Sequence, residues 1–198
     1  MPLSYDAPAR LLTISTDRST YQMKVDEYGY LLHLYYGARA EGDLSYLLTY
    51  CDRSGMCGCP HDVADRTYSL DFLPQEYPFQ GSGDMRSPAL LVRDAEGTFG
   101  CDLRYKCHEI RPGKYDLPGL PAVYAGEKDD AETLSVTLAD ERLGLEVELL
   151  YGVLPRLDVI TRAAIVRNNG TGRVTVEKLQ SACLDFVTGD PDVITFDG

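Results

Sequence analysis

The stretch Leu145-Glu146-Val147-Glu148-Leu149 alternates apolar and acidic residues without a break, and it decides how the chain is read. A period of two puts Leu145, Val147 and Leu149 on one face and both glutamates on the other, the pattern of a half-buried strand. The same pattern lies upstream, where Leu134, Val136 and Leu138 alternate with Thr133, Ser135 and Thr137. Asp140-Glu141-Arg142-Leu143-Gly144 separates the two runs and supplies residues suited to a tight reversal. Downstream, Leu157, Val159, Thr161, Ala163 and Ile165 share a face, while Ile160, Ala164 and Val166 make the opposite face partly apolar as well. A strand apolar on both sides belongs to a sheet covered on both sides.

Working outward, Glu27-Tyr28-Gly29 turns the chain between strands near 19–25 and 30–36. Asn168-Asn169-Gly170-Thr171-Gly172 reads as a turn between two more strands, so the second half reads as an antiparallel meander. No amphipathic helix longer than two turns stands out. The expectation is an all-β fold of two packed, mainly antiparallel sheets, spanning 1–198 as one sandwich domain. Residues 51–88 interrupt it with Gly, Pro, Asp and Ser and little alternation, the composition of a long functional loop. Strand-like residues recur at 184–187 and 193–196, and the chain then stops, as though the sandwich were truncated before completion.

The net charge of −12, from 31 acids and 19 bases, disfavours nucleic acid and anionic lipid as partners. No run of about 18 apolar residues is present, so no membrane span is expected. The start, Met1-Pro2-Leu3-Ser4-Tyr5-Asp6, lacks the basic and apolar regions of an export signal, which points to the cytoplasm and to reduced thiols. Of the six cysteines, Cys101 and Cys107 read as small buried hydrophobes. Cys51, Cys57, Cys59 and His61 form a C-x5-C-x-C-x-H cluster of zinc-ligand types. The spacing departs from the two-to-four-residue separation of ordinary paired ligands, and no metal is assigned. His33, among apolar residues, reads as a satisfied core or interface histidine, and His108 likewise. Gly81-Ser82-Gly83 lacks the lysine and the strand-to-helix setting of a phosphate loop. No cofactor is expected. Tyrosines 30, 35, 36, 46 and 50 are expected to pack across sheets or at a subunit interface.

Several segments, in order, resemble the bacterial α-galactosidases of glycoside hydrolase family 36. They are Leu34-Tyr35-Tyr36-Gly37, Asp43-Leu44-Ser45-Tyr46-Leu47, Leu73-Pro74-Gln75-Glu76-Tyr77-Pro78, Gly81-Ser82-Gly83-Asp84-Met85-Arg86-Ser87-Pro88-Ala89, Asp102-Leu103-Arg104-Tyr105 with His108, and Gly119-Leu120-Pro121-Ala122 with Tyr124. The resemblance implies an N-terminal β-supersandwich that precedes a (β/α)₈ barrel. It implies a retaining enzyme that releases terminal α-linked galactose from melibiose- and raffinose-type sugars through two barrel aspartates. No residue of this chain is therefore expected to be catalytic. The resemblance also implies a homo-oligomer, a tetramer in bacterial members, in which a loop of this domain reaches a neighbouring subunit's active site.

Asp52 and Arg66, which frame that loop, are the expected sugar contacts, with a carboxylate and a guanidinium suited to hydroxyls. They could equally pair with each other or with loop backbone. Between them, Ser54-Gly55-Met56-Cys57-Gly58-Cys59-Pro60-His61 departs from the Phe- and Pro-containing segment of relatives, and Met85 stands where an aromatic residue is frequent. Gly81 and Gly83 permit a tight path, and Asp84 and Arg86 read as structural charges satisfying loop groups. The rival readings are a stand-alone carbohydrate-binding module and a purely structural assembly sandwich.

Overall fold

The computed structural model describes residues 1–51, 61–62, 64–186 and 192–195. The first sheet is an antiparallel meander of β1 (Leu3–Asp6), β2 (Leu11–Ser15), β3 (Ser19–Val25) and β4 (Leu31–Ala38), in that order. A second four-stranded meander holds β6 (Arg104–Pro112), β7 (Glu132–Asp140), β8 (Leu145–Leu154) and β9 (Val159–Asn168). A two-stranded antiparallel ribbon joins β5 (Leu90–Arg93) to β10 (Thr175–Leu179).

The alternation sets this arrangement. Leu134, Val136 and Leu138 of β7 and Leu145, Val147 and Leu149 of β8 enter one continuous core with Leu12, Ile14, Met23 and Leu32 of the first sheet. Register pairs Val136 with Leu149 and Leu138 with Val147, so apolar side chains meet directly across the strands. The outer face of β8 and β9 is covered in part by a smaller cluster, in which Tyr115 packs on Leu150 and Ala163 with Leu117 and Ile165 at its margin. This is the covering that the two-sided apolar pattern of β9 demanded.

Between β4 and β5 the described residues hold no long strand, yet the second half of the segment is firmly tied. His33 N–H donates to Pro74 O (2.8 Å) and Glu76 N–H to Leu31 O (2.9 Å), so Pro74–Glu76 runs along the edge of β4. Four residues later Gln80 N–H donates to Leu90 O (3.2 Å) and Cys101 N–H to Gln80 O (3.1 Å). The loop thus links the first sheet to the ribbon by its own backbone.

Four expectations need correction. The turn at 168–172 is not a hairpin between sheet neighbours: it sends the chain out of the meander, and β10 pairs with β5 instead. The described residues 184–186 and 192–195 hold no strand. Cys107 is exposed, because a register shift between Tyr105 and Cys107 breaks the alternation that would have turned it inward. Tyr46 and Tyr50 lie outside any strand, 76% and 50% exposed, so these two do not pack across a sheet.

Candidate functional site

Asp52 and the cysteines Cys57 and Cys59 lie outside the described residues. The chain is described again at His61, and Arg66, exposed, follows five residues on. His61 sits on the β3–β4 hairpin. Its ring stacks on Tyr28 with centroids 4.5 Å apart. Its Nε2 lies 3.4 Å from Tyr30 Oη and 3.5 Å from Arg104 Nη2. The hairpin itself is locked by Asp26, whose Oδ1 accepts the N–H groups of Tyr28 (2.9 Å) and Tyr30 (2.8 Å) and whose Oδ2 accepts the Tyr68 hydroxyl (2.5 Å). Gly29, at φ +86°, closes the turn and presents its carbonyl to Tyr105 N–H at 2.8 Å. Arg104 completes the seat. Its guanidinium lies 3.9 Å over the Tyr30 ring and grips Asp102 through Nε–Oδ1 and Nη2–Oδ2, both 2.9 Å.

Downstream on the same loop, Asp84 is buried and accepts from Arg86 N–H (2.9 Å), Arg86 Nε (2.9 Å) and Gln75 Nε2 (3.0 Å). Burial opposes its charge, but the bonds from Arg86 outweigh that and hold the carboxyl below its usual range. Arg86 also donates through Nη2 to the carbonyls of Leu73 (2.8 Å) and Leu70 (3.2 Å), and through Nη1 to Asp185 Oδ2 (3.2 Å). Both charges are spent on loop backbone and neighbouring side chains. Gly81, at φ +126°, passes so close to Cys101 that an added Cβ would sit 2.5 Å from its carbonyl oxygen. Gly83, at φ +84°, faces open space.

A third cluster carries no local sequence signal. Glu76, fully buried, lies at the interface of the two four-stranded sheets. Its Oε1 accepts from Tyr21 Oη (2.7 Å), Tyr151 Oη (2.7 Å) and Arg162 Nη1 (2.8 Å), and its Oε2 faces His33 Nδ1 at 3.1 Å. Burial pushes against the charge; Arg162, His33 and Tyr151 more than offset it and keep the carboxyl below its ordinary value. Among the described residues, Arg162 Nε and Nη2 find no acceptor; the guanidinium lies over the Tyr151 ring, Cζ 4.1 Å from its centroid. Perturbed carboxylates often mark active sites, but this one is sealed from solvent and fully engaged, so its chemistry is structural.

One surface depression is an open groove of about 790 Å³ whose lining includes Asp102, Arg104, Lys106, Arg142 and Glu146. Its charges are cross-tied, Arg104 to Asp102, Lys106 to Glu146 and Arg142 to Asp94. Among the described residues no group of His, Cys, Asp and Glu is arranged to hold a metal ion.

Comparison with known proteins places the chain. The glycosyl hydrolase family 36 N-terminal domain model matches residues 29–198. The bifunctional α-galactosidase/sucrose kinase AgaSK of Mediterraneibacter gnavus is 52% identical over the whole chain, which spans 21% of that protein. α-Galactosidase AgaA of Geobacillus stearothermophilus is 37% identical, again over the whole chain and 27% of the relative. The solved galactosidase domain of AgaSK superposes with a TM-score of 0.88 at 53% identity, covering 94% of this chain and 26% of that one. An AgaA variant solved in complex with raffinose gives 0.84 at 38% identity, covering 90% and 25%. The chain thus spans about a quarter or less of the length of these relatives, always their N-terminal part. It belongs to the N-terminal domain family of glycoside hydrolase family 36.

Proposed function

We propose that this chain is the non-catalytic N-terminal module of a retaining α-galactosidase that removes terminal galactose from raffinose-type sugars. The observation that carries the reading is the match along this whole chain, in sequence and fold, to the N-terminal part of proteins named α-galactosidases, one of which, AgaA, has variants solved with raffinose and with stachyose. Retaining hydrolysis needs two accessible carboxylates about 5–5.5 Å apart across the scissile bond. The fully buried carboxylate of Glu76 has both oxygens engaged in the core, which supports a barrel elsewhere in the polypeptide as the seat of chemistry. The module then buttresses that barrel, takes part in a homo-oligomer, and lends the Asp52–Arg66 loop to the rim of a neighbouring subunit's sugar site. Residues 1–198 act in this as one sandwich unit. The reading extends to a cytoplasmic setting for the whole protein.

The test is kinetic. A polypeptide extended through the barrel should release galactose from raffinose with retention of anomeric configuration, while residues 1–198 alone should not. Turnover by the isolated module, or an extended enzyme inert on every α-galactoside, defeats the proposal. Asp52→Ala in the extended enzyme should raise KM or lower kcat/KM with oligomer size unchanged; parental kinetics would remove the rim role.

A further inference from the structure

We infer that Tyr28 and Arg104 are positioning residues that seat the returning limb of the loop, His61 to Arg66, and so set where Arg66 points. The inference deepens the rim reading above and rests on it. Three observations carry it. The His61 ring is stacked on Tyr28 at 4.5 Å with an interplanar angle of 29°, and its Nε2 lies within reach of Tyr30 Oη and Arg104 Nη2 at 3.4 and 3.5 Å. With Nε2 unprotonated, His61 accepts from Arg104, so one ring is held by its face and by its edge.

The far end of the limb is fixed to the same hairpin, because Tyr68 donates to Asp26 at 2.5 Å and meets Tyr28 edge-on at 4.8 Å. Tyr28 therefore meets both ends of an eight-residue segment, His61 and Tyr68. Arg104 is itself rigid, clamped bidentately by Asp102 and laid over Tyr30, and it bonds the Tyr28 carbonyl. A guanidinium so fixed loses little freedom when it engages the histidine. Arg66 lies between the two anchors and is exposed. Asp65 holds the limb's own turn by accepting Thr67 N–H and hydroxyl, both at 2.7 Å.

The experiment uses the full-length enzyme with Tyr28→Leu, Tyr28→Phe, Arg66→Ala and the Tyr28→Leu/Arg66→Ala double variant. Phenylalanine keeps the ring under His61 and should restore parental behaviour; leucine should not. Tyr28→Leu should raise KM for raffinose by about tenfold, the scale of one hydrogen bond to a charged group, with kcat little changed. In the double variant the two losses should not add, because both act through the same guanidinium. A second readout is independent of sugar: tryptic cleavage after Arg66 should be faster in Tyr28→Leu and parental in Tyr28→Phe. Unchanged cleavage in Tyr28→Leu, or additive kinetic losses, overturns the seat. Faster cleavage with Arg66→Ala kinetically silent upholds the seat and overturns the rim reading instead.

Discussion

Arg162 Nη1 lies 2.8 Å from Glu76 Oε1, and this contact ties a loop riding on the edge of the first sheet to β9, the edge strand of the other. The pair is not isolated. Tyr21 of β3, His33 of β4 and Tyr151 of β8 converge on the same carboxylate, so four strands and a loop share one buried anion.

Removing that anion should be costly. Glu76→Gln keeps the volume but leaves the Arg162 guanidinium buried without its counter-charge, and should destabilise the domain by about 3 kcal/mol or more. Tyr151→Phe deletes one donor and leaves the ion pair, and should cost roughly 1 kcal/mol. Urea denaturation followed by tyrosine fluorescence gives the comparison; equal losses would mean that the charge is not the element that matters.

Acid should act through the same carboxylates. Glu76 and Asp84 have folded-state pKa values below their usual ones, so the unfolded chain binds their protons more readily. Their contribution is fully present above the unfolded values, about 4.3 for Glu and 3.9 for Asp, and is lost as pH falls through the lower folded values. The urea midpoint should hold from neutrality to about pH 5 and then decline. In Glu76→Gln that decline should be shallower, and a midpoint that climbs on acidification would contradict the assignment.

The two loop glycines should differ. Gly81→Ala drives a Cβ to 2.5 Å from Cys101 O and 2.6 Å from its N, both backbone atoms that cannot swing aside. A loss of about 2 kcal/mol or more is expected there, against roughly 1 kcal/mol for Gly83→Ala, where only the left-handed backbone is at stake. Thermal unfolding of the two variants side by side decides this, and a milder effect at Gly81 than at Gly83 refutes it.

Thiol reactivity should split along exposure. Cys101 is buried, and desolvation together with the nearby Asp140 pushes its thiol up to about 12, whereas Cys107 is exposed on β6. Under native conditions iodoacetamide should modify Cys107 and spare Cys101, as thiolate chemistry requires. Peptide mapping reads the outcome, and early alkylation of Cys101 would show that the core opens there.

Much of the fold was legible because its signals are local. The Leu134–Leu138 and Leu145–Leu149 alternations, with the Asp140–Gly144 turn between them, specify β7 and β8 and their shared buried face. Asp84 and Arg86 follow Gly81 and Gly83 in sequence, and the two charges bond each other and the loop carbonyl of Leu73. Partner choice is not local. The Asn168–Gly172 turn announces a change of direction but not its destination, and β10 finds β5 more than eighty residues back. Glu76 meets Tyr21, Tyr151 and Arg162, separated from it by 55, 75 and 86 positions, and no period in the sequence connects them. His61 drew attention through nearby cysteines, whereas the contacts that position it come from Tyr28, Tyr30 and Arg104, far off in the chain.

The pairing of β10 with β5 also sets an order of events. The meander from β6 to β9 lies wholly between those two strands in sequence and is built from neighbour-to-neighbour reversals, whose closure is entropically cheap and fast. The ribbon must wait for a loop of more than eighty residues to come together, and that closure is far less unfavourable once the intervening chain has condensed. On a ribosome the wait is longer still, since Leu90 can find its partner only after Leu179 has left the exit tunnel. Until then the edge of β5 that β10 will cover stands unpaired, and the nascent chain passes through an aggregation-prone interval there.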